Sequence, residues 1–530
     1  MATVAPTRVR SGRGVELVLL VVALVVAIAG YALVGIGQKG SAPPDVVTYG
    51  GSMAALAVVM HLVVRWRAPY ADPVILPTVV ALNGLGLAMI YRLRPDLASK
   101  QLGWSAVSVV LALVVLVALR DHRTLRRYSY TAMLVSVGLL VLPILPGVGM
   151  SIHGARIWVK AGPFSFQPSE LAKIGLAIFF AGYLVTNRDT LALAGRTVLG
   201  MKLPRARDLG PILMVWGVTL AVLVAQNDLG TSLLLFGLFV GVLYLATERV
   251  SWVLLGLVLL AGGAWAASRL LTHVRSRFDI WQHALDPKVI GAKGGSYQLA
   301  EGLFGMAAGG LFGTGLGEGH PYRIPFGYSD FIAASLGEEL GLTGLVAVLV
   351  LMAILIQRGM RTAVGVRDGF GKLLAGGLSF LIVLQTFVVV GGVTRLIPLT
   401  GLTLPFLAYG GSSLLGNWLI VALLLRISDD ARRPAPAVKV VPTPAGGTPA
   451  LARPSDTSAI VVPGSGAVED AVEPGPGASD AGSDPGAPTQ EGLGGAAPDA
   501  GTPSWAGAQP GLAPSGPAGA VPGYGNGVVS

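Results

Sequence analysis

Long runs of apolar residues dominate the chain up to Arg433, and short polar segments rich in arginine separate them. A helix needs roughly 20 apolar residues to cross the hydrocarbon core of a bilayer. This pattern predicts an all-α polytopic membrane protein with about twelve transmembrane helices. The predicted spans are residues 15–36, 47–65, 73–92, 101–119, 130–147, 168–186, 211–227, 229–247, 251–271, 331–357, 371–397 and 404–426.

The basic residues predict the orientation of these spans. Residues 1–14 contain Arg8, Arg10 and Arg13, which the positive-inside rule assigns to the cytoplasm, and an even number of spans puts both termini there. The loops on that side then contain Arg65, Arg67, Arg120, Arg123, Arg126, Arg127, Arg188, Arg207, Arg358, Arg361, Arg367, Arg426, Arg432 and Arg433.

Composition supports the membrane class. The chain is 53% hydrophobic and only 12% charged, which is typical of a polytopic membrane protein. Its net charge of +10 follows from these loop arginines, so we predict no nucleic-acid partner. The absence of cysteine excludes disulfides and thiolate metal sites, and the first apolar run is long enough for a span instead of a cleavable signal peptide.

Two segments fall outside the pattern of spans. Residues 272–330 form one large predicted extracellular loop with many glycines, and loops of that length are usually functional or disordered. Its aromatic residues, Trp281, Tyr297, Phe304 and Phe312, favour a packed loop. Residues 434–530 are rich in Pro, Gly, Ala and Ser, with no Lys or Arg after Arg453, which predicts a disordered cytoplasmic tail.

Three carboxylates follow the large loop where it enters the next apolar run: Asp330, Glu338 and Glu339. A carboxylate within a membrane costs about 2.5–3.5 kcal/mol, so it usually has a function and faces a cavity or a partner. The alternative is that Ser329 and Asp330 merely cap the helix that begins there.

Three other polar segments interrupt the apolar pattern. In 154–173, Glu170 and Lys173 are three residues apart at a helix start and can pair with each other. In 226–231, Asp228 is a candidate helix cap within a tight turn. Residues 398–413 are rich in Gly and Pro, and such backbone is tolerated at membrane depth only beside protein or a water-filled cavity.

These segments together, in this order, resemble the SEDS (shape, elongation, division and sporulation) family of peptidoglycan polymerases. The matching motifs are Gln-Pro-Ser-Glu-Leu-Ala-Lys ending at Lys173, Asp-Leu-Gly-Thr ending at Thr231, Ser-Asp-Phe-Ile with Glu-Glu-Leu-Gly ending at Gly341, and Tyr-Gly-Gly-Ser-Ser ending at Ser413. The chain departs from the family pattern at Ile157, Asn227, Phe326, Tyr328, Val389 and Ala408.

The resemblance implies the domain organisation. It covers about 73–426, so a family membrane domain of about ten spans occupies 73–433, and 15–72 forms an additional N-terminal pair of spans. The extra pair and the basic loops resemble the RodA-type members that act in cell elongation. The location implied is the bacterial plasma membrane.

The resemblance also implies the chemistry. An inverting glycosyltransferase would move a growing glycan from its undecaprenyl diphosphate to the 4-hydroxyl of lipid II, with Asp330 as the general base. Lys173, Arg156 and Arg395 are candidate contacts for the diphosphate, and a divalent cation, Mg²⁺ or Mn²⁺, is an alternative source of positive charge. Further candidate substrate contacts are Trp104, Glu170, Asp228, Glu338 and Glu339.

Other functions fit some of the same features. A septal polymerase of the FtsW type, a flippase of the lipid-linked cell-wall precursor and a non-catalytic scaffold all accommodate intramembrane charges and interrupted helices. The flippase is disfavoured because no pair of interrupted helices recurs in two corresponding halves of the chain. The family implies a class B penicillin-binding protein, a transpeptidase, as partner, together with membrane lipids.

Overall fold

A computed structural model describes residues 12–152, 155–162, 164–187, 196–198, 201–203 and 206–434. The predicted tail beyond residue 434 and the first 11 residues lie outside this description. The helices are α1 (Arg13–Lys39), α2 (Val46–Arg67), α3 (Ile75–Leu93), α4 (Pro95–Ala118), α5 (Thr124–Arg127), α6 (Ser129–Val141), α7 (Ser169–Thr186), α8 (Ala206–Ala225), α9 (Leu229–Thr247), α10 (Val250–Leu270), α11 (Thr272–Gln282), α12 (Pro287–Ile290), α13 (Tyr297–Gly309), α14 (Ile332–Gly365), α15 (Gly369–Val393) and α16 (Gly411–Arg432).

The predicted all-α polytopic membrane fold is confirmed. Ten helices in the described part of the chain are long and apolar enough to cross a membrane: α1, α2, α3, α4, α7, α9, α10, α14, α15 and α16. Predicted span 130–147 corresponds to the shorter apolar helix α6 with the 3₁₀ turn Leu142–Ile144. Predicted span 211–227 corresponds to α8, for which only some side chains are described.

Two small sheets were not predicted. The strands β1 (Gly149–Ile152), β2 (Ala155–Ala161) and β3 (Phe164–Phe166) form an antiparallel sheet in which Val159 pairs with both Gly149 and Phe166. The strands β4 (Arg196–Val198) and β5 (Met201–Leu203) form a second hairpin. Strands β2 and β3 lie in the polar segment 154–173, and the sheet leads directly into α7.

Helix α3 is the most deeply buried candidate span in the described residues, with 94% of its apolar window inside the protein. Helix α1 packs closely along it because Gly84 of α3 leaves room for Ala27 of α1. Tyr31 of α1 stacks between Tyr49 of α2 and Tyr91 of α3, with ring centroids 3.9 and 4.3 Å away. The N-terminal pair is therefore packed against the remaining helices through α3.

Helix α14 is interrupted at Gly341, where φ is 69° and ψ is −172°. A residue with a side chain rarely adopts this φ, and a Cβ atom there would overlap the backbone at Gly313. The interruption frees backbone groups, and residues 310–315 pair with them. Thr314 and Gly315 donate to the carbonyls of Glu338 and Glu339, each at 3.0 Å.

The same segment also pairs with the far side of the interruption. Leu342 donates to Gly310 O at 3.0 Å, and Thr343 donates to Leu311 O at 3.1 Å. The backbone polar groups at this break in a membrane helix are thus satisfied by protein, as an apolar environment requires. The predicted large loop is consequently attached to α14 on both sides of Gly341.

Candidate functional site

Asp330 lies in the turn Phe326–Phe331, immediately before α14. Tyr409 N donates to Tyr328 O at 2.8 Å, and the Ser335 hydroxyl donates to Gly327 O at 2.9 Å, while Phe331 is fully buried. These contacts fix the turn against the segment that leads into α16. Helix α14 begins without a side-chain cap, so the alternative role of Ser329 and Asp330 as caps is not observed.

The environment of Asp330 alters its protonation. The side chain is half-buried, and its burial raises the pKa of the carboxyl to about 6. A backbone N–H and the positive charge of Arg277 act in the opposite direction. A carboxyl group with a pKa in this range gives up and accepts protons near neutral pH.

Arg277, on α11, is the functional candidate that sequence reasoning missed. Its guanidinium donates to Leu399 O at 2.6 Å, which ties α11 to the segment before α16. Burial lowers its pKa, whereas the carboxylates of Asp228 and Asp330 raise it. One signal in the sequence was available: Arg277 is a basic residue in a loop predicted to be extracellular, where the positive-inside rule disfavours it.

Asp228 is subject to the charge of the same cation. Its Oδ1 accepts from Thr231 N at 3.0 Å and so caps α9, as predicted, while its Oδ2 is buried without a hydrogen-bond partner. Burial raises the pKa of Asp228, and the charge of Glu170 raises it further. Asp228, Glu170, Arg277 and Asp330 thus belong to one electrostatic group.

Lys173 and Glu170 form the internal pair that their spacing predicted. Lys173 Nζ lies 2.6 Å from Glu170 Oε2 and donates to Gln385 Oε1 at 3.1 Å. Gln385 in turn donates to Thr403 O at 2.8 Å. Only 2% of the Lys173 side chain is exposed, so this chain of contacts joins α7, α15 and the Gly/Pro-rich segment inside the protein.

The contacts of Arg395 are with other residues of the protein, whereas the sequence predicted a contact with the substrate diphosphate. Its guanidinium donates to Trp281 O at 2.9 Å and to Gln282 O at 2.8 Å, and its own carbonyl accepts from the Trp281 indole at 3.0 Å. Arg395 therefore binds the carbonyls at the C-terminus of α11 and holds the helix that contains Arg277.

Two other candidates, Arg156 and Trp104, contact different segments of the chain. Arg156 has an exposed side chain on β2, and its backbone N–H donates to Gln226 O at 3.1 Å, beside Asp228. Trp104 packs against Gly411 so closely that a Cβ atom there would overlap the indole ring. Gln101, one turn before Trp104, donates to Ala408 O at 3.2 Å.

Glu338 and Glu339 form a separate network within the protein. Arg92 Nε donates to Glu339 Oε1 at 2.6 Å, and both side chains are buried. Glu338 Oε1 accepts from His320 N at 2.6 Å. The structure therefore does not place these two carboxylates in the group around Asp330.

The predicted divalent cation has no matching set of three protein ligands near Asp330 among the described residues. One group of His and Asp ligand atoms in the described residues is close enough to hold a metal: His122, Asp368 and Asp430. It lies at the opposite end of α15 and α16 from Asp330, and Arg123 contacts both of its carboxylates. In the described part of the chain, the residues around Asp330 alone therefore do not supply the three ligands of a metal site.

Comparisons with known proteins identify the family of the chain. The family model described as "Cell cycle protein", which covers FtsW, RodA and SpoVE, matches residues 74–433. The chain belongs to the FtsW/RodA/SpoVE family. The predicted resemblance is thereby confirmed, and the matched residues begin after α1 and α2.

Individual members of the FtsW/RodA/SpoVE family show how similar the chain is. It is 48% identical to the peptidoglycan glycosyltransferase RodA of Mycobacterium tuberculosis over 440 residues, 81% of this chain and 92% of that protein. It is 34% identical to the probable peptidoglycan glycosyltransferase FtsW of Trichlorobacter lovleyi over 375 residues, 68% of this chain and 94% of that protein.

A solved structure also matches the fold. One chain of a peptidoglycan synthase complex, studied for its coordination of polymerization and crosslinking, superimposes with a TM-score of 0.55 at 27% identity. The match covers 69% of this chain and 99% of that chain. The helical architecture is therefore that of a family member found in such a complex.

Removing only one charge of the buried Lys173–Glu170 pair should destabilise the protein more than removing both charges. Lys173→Met leaves the Glu170 charge without its partner, and breaking a buried pair in this way costs about 3–5 kcal/mol. We expect a clear loss of thermal stability of the protein in detergent, and partial recovery when Glu170→Gln is added. A double variant no more stable than Lys173→Met would show that the pair is not the source of the effect.

Proposed function

We propose that the protein is a peptidoglycan glycosyltransferase that polymerises lipid II, with Asp330 as its general base. The feature that supports this role for Asp330 is a half-buried carboxyl in the turn before α14, whose burial raises its pKa to about 6 and which is subject to the charge of Arg277. The relatives named above carry the activity in their names. A base whose pKa lies near the working pH combines a useful charged fraction with an adequate driving force for proton transfer.

The reaction joins two lipid-linked glycans. The 4-hydroxyl oxygen of the incoming lipid II forms a bond to the anomeric carbon of the growing chain, and Asp330 takes the hydroxyl proton. The bond from that carbon to the diphosphate breaks, and the undecaprenyl diphosphate leaves with the electron pair. Attack from the face opposite the leaving group inverts the anomeric centre. One carboxylate suffices because the diphosphate leaves without a protonating acid, unlike the leaving group in most glycosidases.

Arg277 links proton transfer to Asp330 with departure of the diphosphate. Before reaction, its charge is balanced in part by the Asp330 carboxylate, and Asp228 stabilises it further when charged. When Asp330 accepts the proton, Arg277 loses that balancing charge as negative charge develops on the leaving diphosphate. Positive charge already positioned for a developing anion is an efficient form of catalysis.

Other candidates have indirect roles in this scheme. Lys173 is paired with Glu170 and Arg395 holds α11, so both position the site, whereas Arg156 is exposed and available to a phosphate. None of these steps is assigned to a divalent cation. A cation used by the enzyme would be held mainly by diphosphate oxygens, as Mg²⁺ often is.

The proposed location is the outer side of the bacterial plasma membrane. Asp330 precedes α14, and the arginine-rich segments around Arg120, Arg361 and Arg432 lie at the other ends of the helices. The positive-inside rule then assigns those segments, and both termini, to the cytoplasm. A crosslinking partner of the class B penicillin-binding type fits the synthase complex in which a similar chain occurs.

Removal of the base tests the activity directly. A general base contributes typically about 10²–10⁴-fold, so Asp330→Asn should reduce glycan synthesis from lipid II in liposomes by that factor. The matched control is Asp279→Asn, since 66% of the Asp279 side chain is exposed on α11. Lipid II exchange between leaflets without glycan chains would instead indicate a flippase, and an active Asp330→Asn variant would contradict the assignment of the base.

The pH dependence of the rate tests the role of Arg277. Because the base acts deprotonated, kcat/KM should fall about tenfold per pH unit below pH 6 and level off above it. Arg277→Gln removes a charge that favours the carboxylate, so the midpoint should move to higher pH. If Arg277→Gln does not shift the midpoint of the pH profile, Arg277 has no effect on the protonation of the base.

Depletion of the protein in its host tests the proposed role in elongation. The identity of 48% to a RodA, against 34% to an FtsW, favours cell elongation over division. Depleted cells should then lose their rod shape and become round. Filamentous cells with incomplete septa would indicate the division role instead.

A further inference from the structure

The outer end of α1 contacts the large loop directly. Gly37 lies against the backbone of Leu316 and Gly317 so closely that a Cβ atom on Gly37 would overlap the Leu316 carbonyl. A Cβ atom on Gly317 would lie 2.8 Å from Val34 O of α1. Any side chain at position 37 therefore has to displace backbone, either of α1 or of the loop.

The contacted loop segment is fixed by a buried ion pair. Arg92, at the end of α3, donates through Nε to Glu339 Oε1 at 2.6 Å and through Nη2 to Gly319 O at 2.7 Å. The other oxygen of Glu339 accepts from Gly317 N at 3.1 Å. Gln38 of α1 donates to the Arg92 carbonyl at 3.2 Å, which adds the N-terminal pair to the same network.

This network acts on the part of α14 that follows Asp330. The loop segment 310–319 binds α14 at Glu338 and Glu339, just before the break at Gly341. Between that break and Asp330 there is only the short helical section that begins at Ile332. A shift of the loop segment is thus transmitted to the proposed base through little more than two helical turns.

We propose that the N-terminal helix pair is a positioning element for the active site, and that Gly37 and Arg92 are the positioning residues through which it acts. It holds segment 310–319 against the break in α14 and so fixes the location of Asp330. This inference rests on the proposed function, since it concerns the geometry of that base. A misplacement of about 1 Å far from the chemistry can cost on the order of 10²-fold in rate.

The test uses the full-length protein in liposomes, with two variants and a control for each. Gly37→Ala introduces the overlap, and its control is Gly14→Ala, on the same helix, where a Cβ atom meets nothing within 4 Å. Arg92→Gln removes the charge, and its conservative control is Arg92→Lys. Three quantities are measured: kcat and KM for lipid II, and hydrogen exchange of the Gly315 and Gly317 amides.

We expect Gly37→Ala and Arg92→Gln to lower kcat about tenfold with KM changed less than about twofold, and to speed exchange of both amides. Gly14→Ala should behave as wild type, and Arg92→Lys should recover part of kcat. Wild-type kcat per folded molecule, or unchanged exchange, in Gly37→Ala and Arg92→Gln would overturn the inference. If the wild-type protein makes no glycan, the proposed function fails, and the exchange measurement still decides whether α1 holds the loop.

Discussion

Burial of the Asp330 carboxyl, which the charge of the Arg277 guanidinium partly offsets, is the constraint on which the site depends. Removing a charge from water is costly unless an opposite charge compensates it, and here the two groups lie at opposite ends of segment 272–330. The surrounding elements hold the two groups in position. The turn before α14 holds Asp330 through Tyr409, and Arg395 and Leu399 hold α11 with Arg277.

The large loop and helix α14 depend on each other for their backbone hydrogen bonds. The break at Gly341 leaves backbone groups of α14 unpaired within the helix, and the glycine-rich loop segment satisfies them. Arg92 and Glu339 add a buried ion pair to the same junction. A membrane helix with a break can therefore supply both a span and a rigid support for a polar site, because every freed polar group finds a partner in the protein.

The sequence predicted those features that depend on local pattern. Apolar runs located the spans, and spacing predicted the Lys173–Glu170 pair and the Asp228 cap. It missed Arg277 and Arg92, because each acquires its role only from residues brought close by folding. For the same reason Glu338, Glu339 and Arg395 resembled substrate contacts in the sequence, whereas their partners in the structure are internal.

The most direct measurement is an experimental structure of the Asp330→Asn variant with lipid II bound in a membrane. With Asp330 as the base, we expect the acceptor 4-hydroxyl within about 3 Å of the side chain at position 330, with the diphosphate of the second lipid on the side of Arg277. Binding of both sugars away from position 330, or a side chain there turned towards the lipid, would contradict it.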